Sequence, residues 1–188
     1  EEYTLAVDDQ SLTAVLEAHC ASHGIEVLSQ RPVLREDGSR GIVDLMLSRV
    51  VPVQRERKEH LVIELKRPSV RIGQEELNQV ESYAHAIASD ERFRLTDTDW
   101  HFWAVSNDVT DIVAQKASQP HLPEGLVTQL SGGRVKVWVK TWAQMLRSCR
   151  ARMHFFQERL AYRADTDGAL EYLRATYAKY LPAHPPEA

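Results

Sequence analysis

Disulfide chemistry is the first thing this sequence lacks. Its 188 residues include two cysteines, Cys20 and Cys149, and no Cys-x-x-Cys pair. That argues against a disulfide framework and suits a reducing cytosol. No apolar run is long enough to cross a bilayer, and nothing at the start has the form of a signal peptide. An excess of basic charge is also missing. The formal net charge of -4 argues against a surface coated with cations for nucleic acid, but leaves room for a local basic groove around an acidic site. Internal repeats and low-complexity tracts are absent. What remains is an ordinary globular composition, 43% hydrophobic and 27% charged. The length suits one domain with a real core and an appended helical segment. The first residue is Glu, which suggests a part excised from a longer protein.

Hydrophobic periodicity places the elements. Asp9 or Ser11 caps a helix to about residue 23, with Leu12, Val15, Leu16 and His19 on its buried face. Residues 25–36 read as extended, near an edge because of Pro32, and Asp37-Gly38 is a turn. Residues 41–51 and 60–66 are apolar strands joined by a charged linker, so an antiparallel meander of two or three strands is expected. A helix over 73–89 has Glu75 and Glu76 in its first turn and Leu77, Val80, Ala84 and Ile87 as its stripe. Residues 100–106 form a strand after a helical crossover, which can lie parallel to a neighbour. A short helix over 110–118 and a hairpin over 126–140 follow. Thr141 and Gln144 form a capping box for a long helix whose stripe runs from Trp142 to Leu160, as core or partner packing. A last helix opens near Asp167. The expected organisation is a core over 1–140, a helical extension packed on it over 141–182, and a disordered tail over 183–188.

The chemistry sits on two of these strands. Both read as nearly continuous apolar runs, which predicts burial on both faces. Asp44 interrupts one; Glu64 and Lys66 interrupt the other, on the same face of their strand. Unpaired buried carboxylates are costly, and two near each other repel. A divalent cation relieves both costs, and carboxylate oxygens are hard ligands suited to magnesium or manganese. Lys66 can then polarise an attacking water or stabilise charge developing on a phosphate.

Asp44, then Glu64-Leu65-Lys66, then a helix resembles the PD-(D/E)XK nuclease superfamily. The order helix, three strands, helix, strand is similar to that family's core, and Gln79 to Tyr83 matches its QxxxY element. The resemblance covers roughly residues 9–107. One departure is Val43, where the family pattern has proline. The resemblance implies a restriction-endonuclease-like α/β core with a mixed central sheet. It implies that Asp44 and Glu64, joined by the Leu65 carbonyl, bind the metal and that Lys66 is catalytic. Gln79 and Tyr83 would border the site and help place the DNA backbone.

Blander readings stand beside these. Glu64 and Lys66 could be a surface pair on an edge strand, and Gln79 and Tyr83 could be structural i,i+4 neighbours. Glu17 points away from the Leu12/Leu16 face. His60, His85, His101 and His154 show no ligand spacing and suit ordinary polar roles. Arg55, Arg57 and Lys58 suit a solvated hairpin tip, whereas Arg67 and Arg71 are candidates for phosphate contact. Arg147, Arg150, Arg152 and Arg159 give the long helix a basic side. The expectation is an α/β domain with helices on both faces. Its expected function is magnesium- or manganese-dependent cleavage of DNA, with RNA left open. By analogy its partner is an ATPase or helicase domain of a cytoplasmic restriction, repair or anti-phage system. Homo-oligomers are also compatible. The competing reading is a silent binding or docking module of the same fold.

Overall fold

The computed structural model describes residues 2–26, 31–51 and 57–160, together with Glu171, Arg174 and Ala175. The chain divides into two units, Glu1–Gln144 and Met145–Ala188. The first is an α/β unit built on one mixed sheet. Its strands are β1 (Thr4–Ser11), β2 (Ile42–Val50), β3 (Lys58–Leu65), β5 (Thr98–Ser106), β7 (Leu126–Leu130) and β8 (Val135–Thr141). They lie in the order β1-β2-β3-β5-β8-β7. β1, β2 and β3 run antiparallel, β3, β5 and β8 run parallel, and β7 is antiparallel to β8. Two short strands, β4 (Arg71–Ile72) and β6 (Asp108–Val109), pair apart from the sheet. The helices are α1 (Leu12–Ser22), α2 (Gln74–Ser89), α3 (Glu91–Arg94), α4 (Asp111–Ala117) and α5 (Trp142–Leu160).

Local chemistry explains the boundaries. The Ser11 side chain accepts a hydrogen bond from the Ala14 N–H and opens α1. Gly24, at φ 67°, closes it in the left-handed region. Glu76 accepts from the Gly73 N–H at 2.8 Å, so the start of α2 is closed by its own first turn. Thr141 and Gln144 form the expected reciprocal cap at the start of α5.

The antiparallel trio is assembled differently from expectation. Residues 25–36 supply no strand among the described residues; Leu34 makes only an isolated bridge to Arg40, and 27–30 lie outside them. The third strand is β1, which precedes α1. Its sequence, TLAVDDQS, buries only Val7, so its apolar signal is too weak to read alone. Pairing with β2 selects it.

One face of the sheet carries the core. Val62 of β3, Trp100, Phe102 and Ala104 of β5, and Val135, Val137 and Val139 of β8 lie beneath α1 and α2. Leu12, Val15 and Leu16 come from α1; Leu77, Val80, Ala84 and Ile87 come from α2. Burying each such side chain is worth about 1.5–3 kcal/mol. Phe93 of α3 and Val113 of α4 join the same cluster, so these four helices share one face rather than two. β3 is buried on both faces, since Leu61 and Ile63 on its other side are also buried. β2 is only half-buried there.

In the second unit, α5 continues from Met145, and Leu146, Met153 and Phe155 are exposed. The helix expected from Asp167, the tail over 183–188, and Arg55 of the charged linker lie outside the described residues, as do the side chains of Phe156, Arg159 and Leu160. No helix among the described residues is long and apolar enough to cross a membrane.

Candidate functional site

The inner face of β3 reads His60, Val62, Glu64. An apolar residue sits in the middle and a polar one stands at each end. Glu64 lies at the carboxyl end of the strand, in register with Ala104 of the parallel strand β5. On the other side, β2 pairs Leu45 with Ile63 and Met46 with Val62. Continuing that register by one residue sets Asp44 opposite Glu64, where facing side chains are close neighbours. Asp44 Oδ2 accepts from the Leu65 N–H at 2.5 Å, which fixes the carboxylate against the end of β3.

Helix α2 completes the cluster. Gln79 and Tyr83 are one turn apart on the side that faces β3. Lys66 Nζ donates to Glu64 Oε1 at 2.9 Å and to Gln79 Oε1 at 2.6 Å. Gln79 Nε2 donates to the same Glu64 oxygen at 2.9 Å and to the Tyr83 hydroxyl at 2.6 Å. Glu64 Oε1 therefore holds two donors, whereas Glu64 Oε2 is buried with no partner among the described residues. Glu64, Lys66, Gln79 and Tyr83 thus form one hydrogen-bonded constellation, and Asp44 stands beside it, held by the Leu65 N–H. Tyr83 is 2% exposed, so its hydroxyl serves Gln79 rather than an open surface. Gly41 leaves room for its ring: a Cβ there would meet Tyr83 Cε1 at 2.8 Å.

The electrostatics follow from this packing. Burial pushes the Glu64 carboxyl above its ordinary value, the Lys66 hydrogen bond and charge pull it back, and Asp44 raises it further. Tyr83 is also raised, chiefly by burial; the Gln79 bond opposes this and the Glu64 charge adds to it. An orphaned buried carboxylate oxygen facing a second carboxylate is the donor set of a hard divalent cation, so the residues present fit magnesium or manganese.

The two candidate phosphate contacts part company. Arg71 Nε pairs with Asp108 at 2.8 Å, and its Nη2 donates to the Val109 carbonyl at 2.8 Å. Arg67 is exposed and makes no ion pair among the described residues. The turn that carries it is anchored by Ser106 Oγ, which donates to the Val70 carbonyl. Arg57 and Lys58 are not merely solvated: Arg57 pairs with Asp99 at 2.8 Å, and Lys58 donates to the Ser22 carbonyl. Glu17 is exposed, as expected. His101 has an ordinary polar role, accepting from Trp138 Nε1.

Two features escaped the reading of the sequence. A cleft of about 380 Å³ runs between the Arg35–Asp37 turn and Asn78, Ser82 and His85 of α2. Its lining is polar and carries no pattern. At the other end of β3, His60 meets His19 of α1 and His23, the residue that caps it. The i,i+4 spacing of His19 and His23 was the available signal, but His60 joins them only through the fold. No protein family, curated protein or solved structure matches the chain.

Proposed function

We propose that the chain is a nuclease that hydrolyses phosphodiester bonds of DNA with magnesium or manganese, on a restriction-endonuclease-like core. The observation that carries this reading is the buried Glu64 Oε2, without a partner among the described residues, on a strand position opposite Asp44, with Lys66 Nζ 2.9 Å from the other Glu64 oxygen. A module without chemistry has no physical reason to keep a buried carboxylate oxygen unsatisfied. Asp44 and Glu64 would hold the cation, which supplies Lewis acidity toward a phosphate oxygen and its water. Lys66, oriented by Glu64 and Gln79, places a positive charge where negative charge develops on the scissile phosphate. Gln79 holds the lysine with its carbonyl and the carboxylate with its amide, so one side chain sets the spacing of both. The Tyr83 hydroxyl accepts from the Gln79 amide and holds it in that orientation. Arg67, exposed one residue past Lys66, would contact the phosphate backbone. Attachment to an ATPase or helicase in a cytoplasmic defence or repair protein remains an analogy.

The test is incubation with circular and linear DNA in magnesium or manganese. Wild type should cleave, and Asp44→Ala or Glu64→Ala should abolish cleavage, retain the fold and lower metal affinity in calorimetry. Lys66→Ala should slow cleavage by about 100-fold or more, while DNA affinity in calcium changes far less. Absence of cleavage across metals and substrates would overturn the hydrolase and leave the binding or docking module.

A further inference from the structure

We infer that His19, His23 and His60 form a binding site for a divalent transition metal of the zinc class, separate from the carboxylate site. One ligand nitrogen from each of the three lies within 4.8 Å of the others. His60 and Glu64 are four residues apart on β3, so the two centres are about 13 Å apart along the strand. Three imidazoles with no carboxylate select zinc, cobalt or nickel over magnesium.

The surroundings orient the rings as a metal shell does. His23 Nδ1 lies 3.0 Å from the His19 carbonyl, which can only accept, so Nδ1 carries the proton and the Nε2 lone pair accepts from Thr98 Oγ1 at 3.2 Å, a hydroxyl that the metal would displace. The outward nitrogen of His19, Nε2, is held by Thr96 Oγ1 at 3.0 Å. Those are the polar partners that fix ligand tautomers around metals. His19 Nδ1 and His60 Nε2 approach to 2.8 Å and share one proton. Tetrahedral zinc needs a nitrogen separation of about 3.3 Å, so the His19–His60 pair must open by about half an ångström while the His23 nitrogen, within 4.8 Å of both, closes toward them.

His60 is fully buried and turns Nε2 into the cluster. Its Nδ1 faces away and has no partner among the described residues, so Nε2 is its one nitrogen available to an ion. Burial against Trp100 and the neighbouring charges keeps His19 and His60 neutral, at about 3 and about 2, and the neutral ring is the ligating form. Lys58, whose ammonium reaches the Ser22 carbonyl, weighs against a cation here. His23 is only half-buried, so the fourth position on its side takes water or a small anion, which offsets that charge. The ion would clamp the end of α1 to β3.

The test uses the full chain carrying Asp44→Ala and Glu64→Ala, stripped of metal and titrated with cobalt(II) and zinc. One cobalt per chain with the visible spectrum of a nitrogen-ligated tetrahedral ion is expected. Adding His23→Gln should weaken it at least tenfold, with circular dichroism confirming the fold. Imidazole nitrogen spectra of the wild type provide a readout without substitution: stoichiometric zinc should shift three buried or half-buried histidines. No cobalt spectrum in the carboxylate-free chain, equal affinity in the His23→Gln chain, or shifts confined to exposed His85 and His121 would each overturn the site.

Discussion

Removing Lys66 should destabilise the protein, and removing Glu64 with it should restore most of the loss. The two side chains form an ion pair at 2.9 Å and are only 16% and 10% exposed. Lys66→Met leaves a buried carboxylate with Gln79 as its remaining donor. Breaking a buried pair from one side costs about 3–5 kcal/mol. Here Glu64 can take up a proton instead, so about 2–4 kcal/mol is expected near neutral pH. Glu64→Gln removes the repulsion from Asp44 and leaves Lys66 bonded to the Gln79 oxygen, so it should cost about 1 kcal/mol or less. The double variant should resemble Glu64→Gln, so the coupling should equal the Lys66→Met cost, about 2–4 kcal/mol; an exposed pair would give less than about 1 kcal/mol. Burial raises Glu64 in the folded chain, so protonation favours the fold. The Lys66→Met deficit should therefore shrink as pH falls through that raised value. Urea unfolding followed by circular dichroism, with chelator present, measures all four chains. A coupling under about 0.5 kcal/mol with a deficit independent of pH would place the pair in solvent and refute the buried-site reasoning.

Three further outcomes are expected. Gly41→Ala drives a methyl into Tyr83 and Leu12, both at 2.8 Å, and should cost about 1–3 kcal/mol as overpacking; an unchanged melting temperature would mean the ring moves freely. In DNA-binding series, Arg67→Ala should lower the log-log salt slope by about one, while Arg71→Ala, already paired with Asp108, should change it by less than half of that; the reverse order would reassign the phosphate contact. Asp90 is pushed up by burial, but the Arg92 hydrogen bonds and charge outweigh this and hold it below its ordinary 3.8. Its stabilisation is therefore present above that value and lost as pH falls through the lowered one. Asp90→Asn should cost about 1–3 kcal/mol at neutral pH, and acid titration of stability should bring the two chains together.

Elements whose signals are local were legible in the chain before any fold was in hand. The stripe Leu77, Val80, Ala84 and Ile87 defines α2, the Thr141/Gln144 pair caps α5, and the Ser131-Gly132-Gly133 turn joins β7 to β8. Each depends on residues within a few positions of one another, so spacing alone reveals them. The acidic and basic interruptions of two apolar strands also marked Asp44, Glu64 and Lys66 without any fold in hand. Tertiary structure decided what depends on residues distant in sequence. It recruited the weakly patterned β1 to an edge in place of residues 25–36, because backbone pairing with β2 supplies what its side chains do not. It turned Arg71 toward Asp108 and left Arg67 free of an ion pair among the described residues. It placed Gln79 between a lysine and a carboxylate, a contact set by how α2 packs on the sheet. It also brought His60 to His19 and His23 across 41 and 37 positions of chain. Helical spacing could suggest the first pair; only the packing of α1 on β3 could supply the third imidazole, because strand-to-helix register has no local signature.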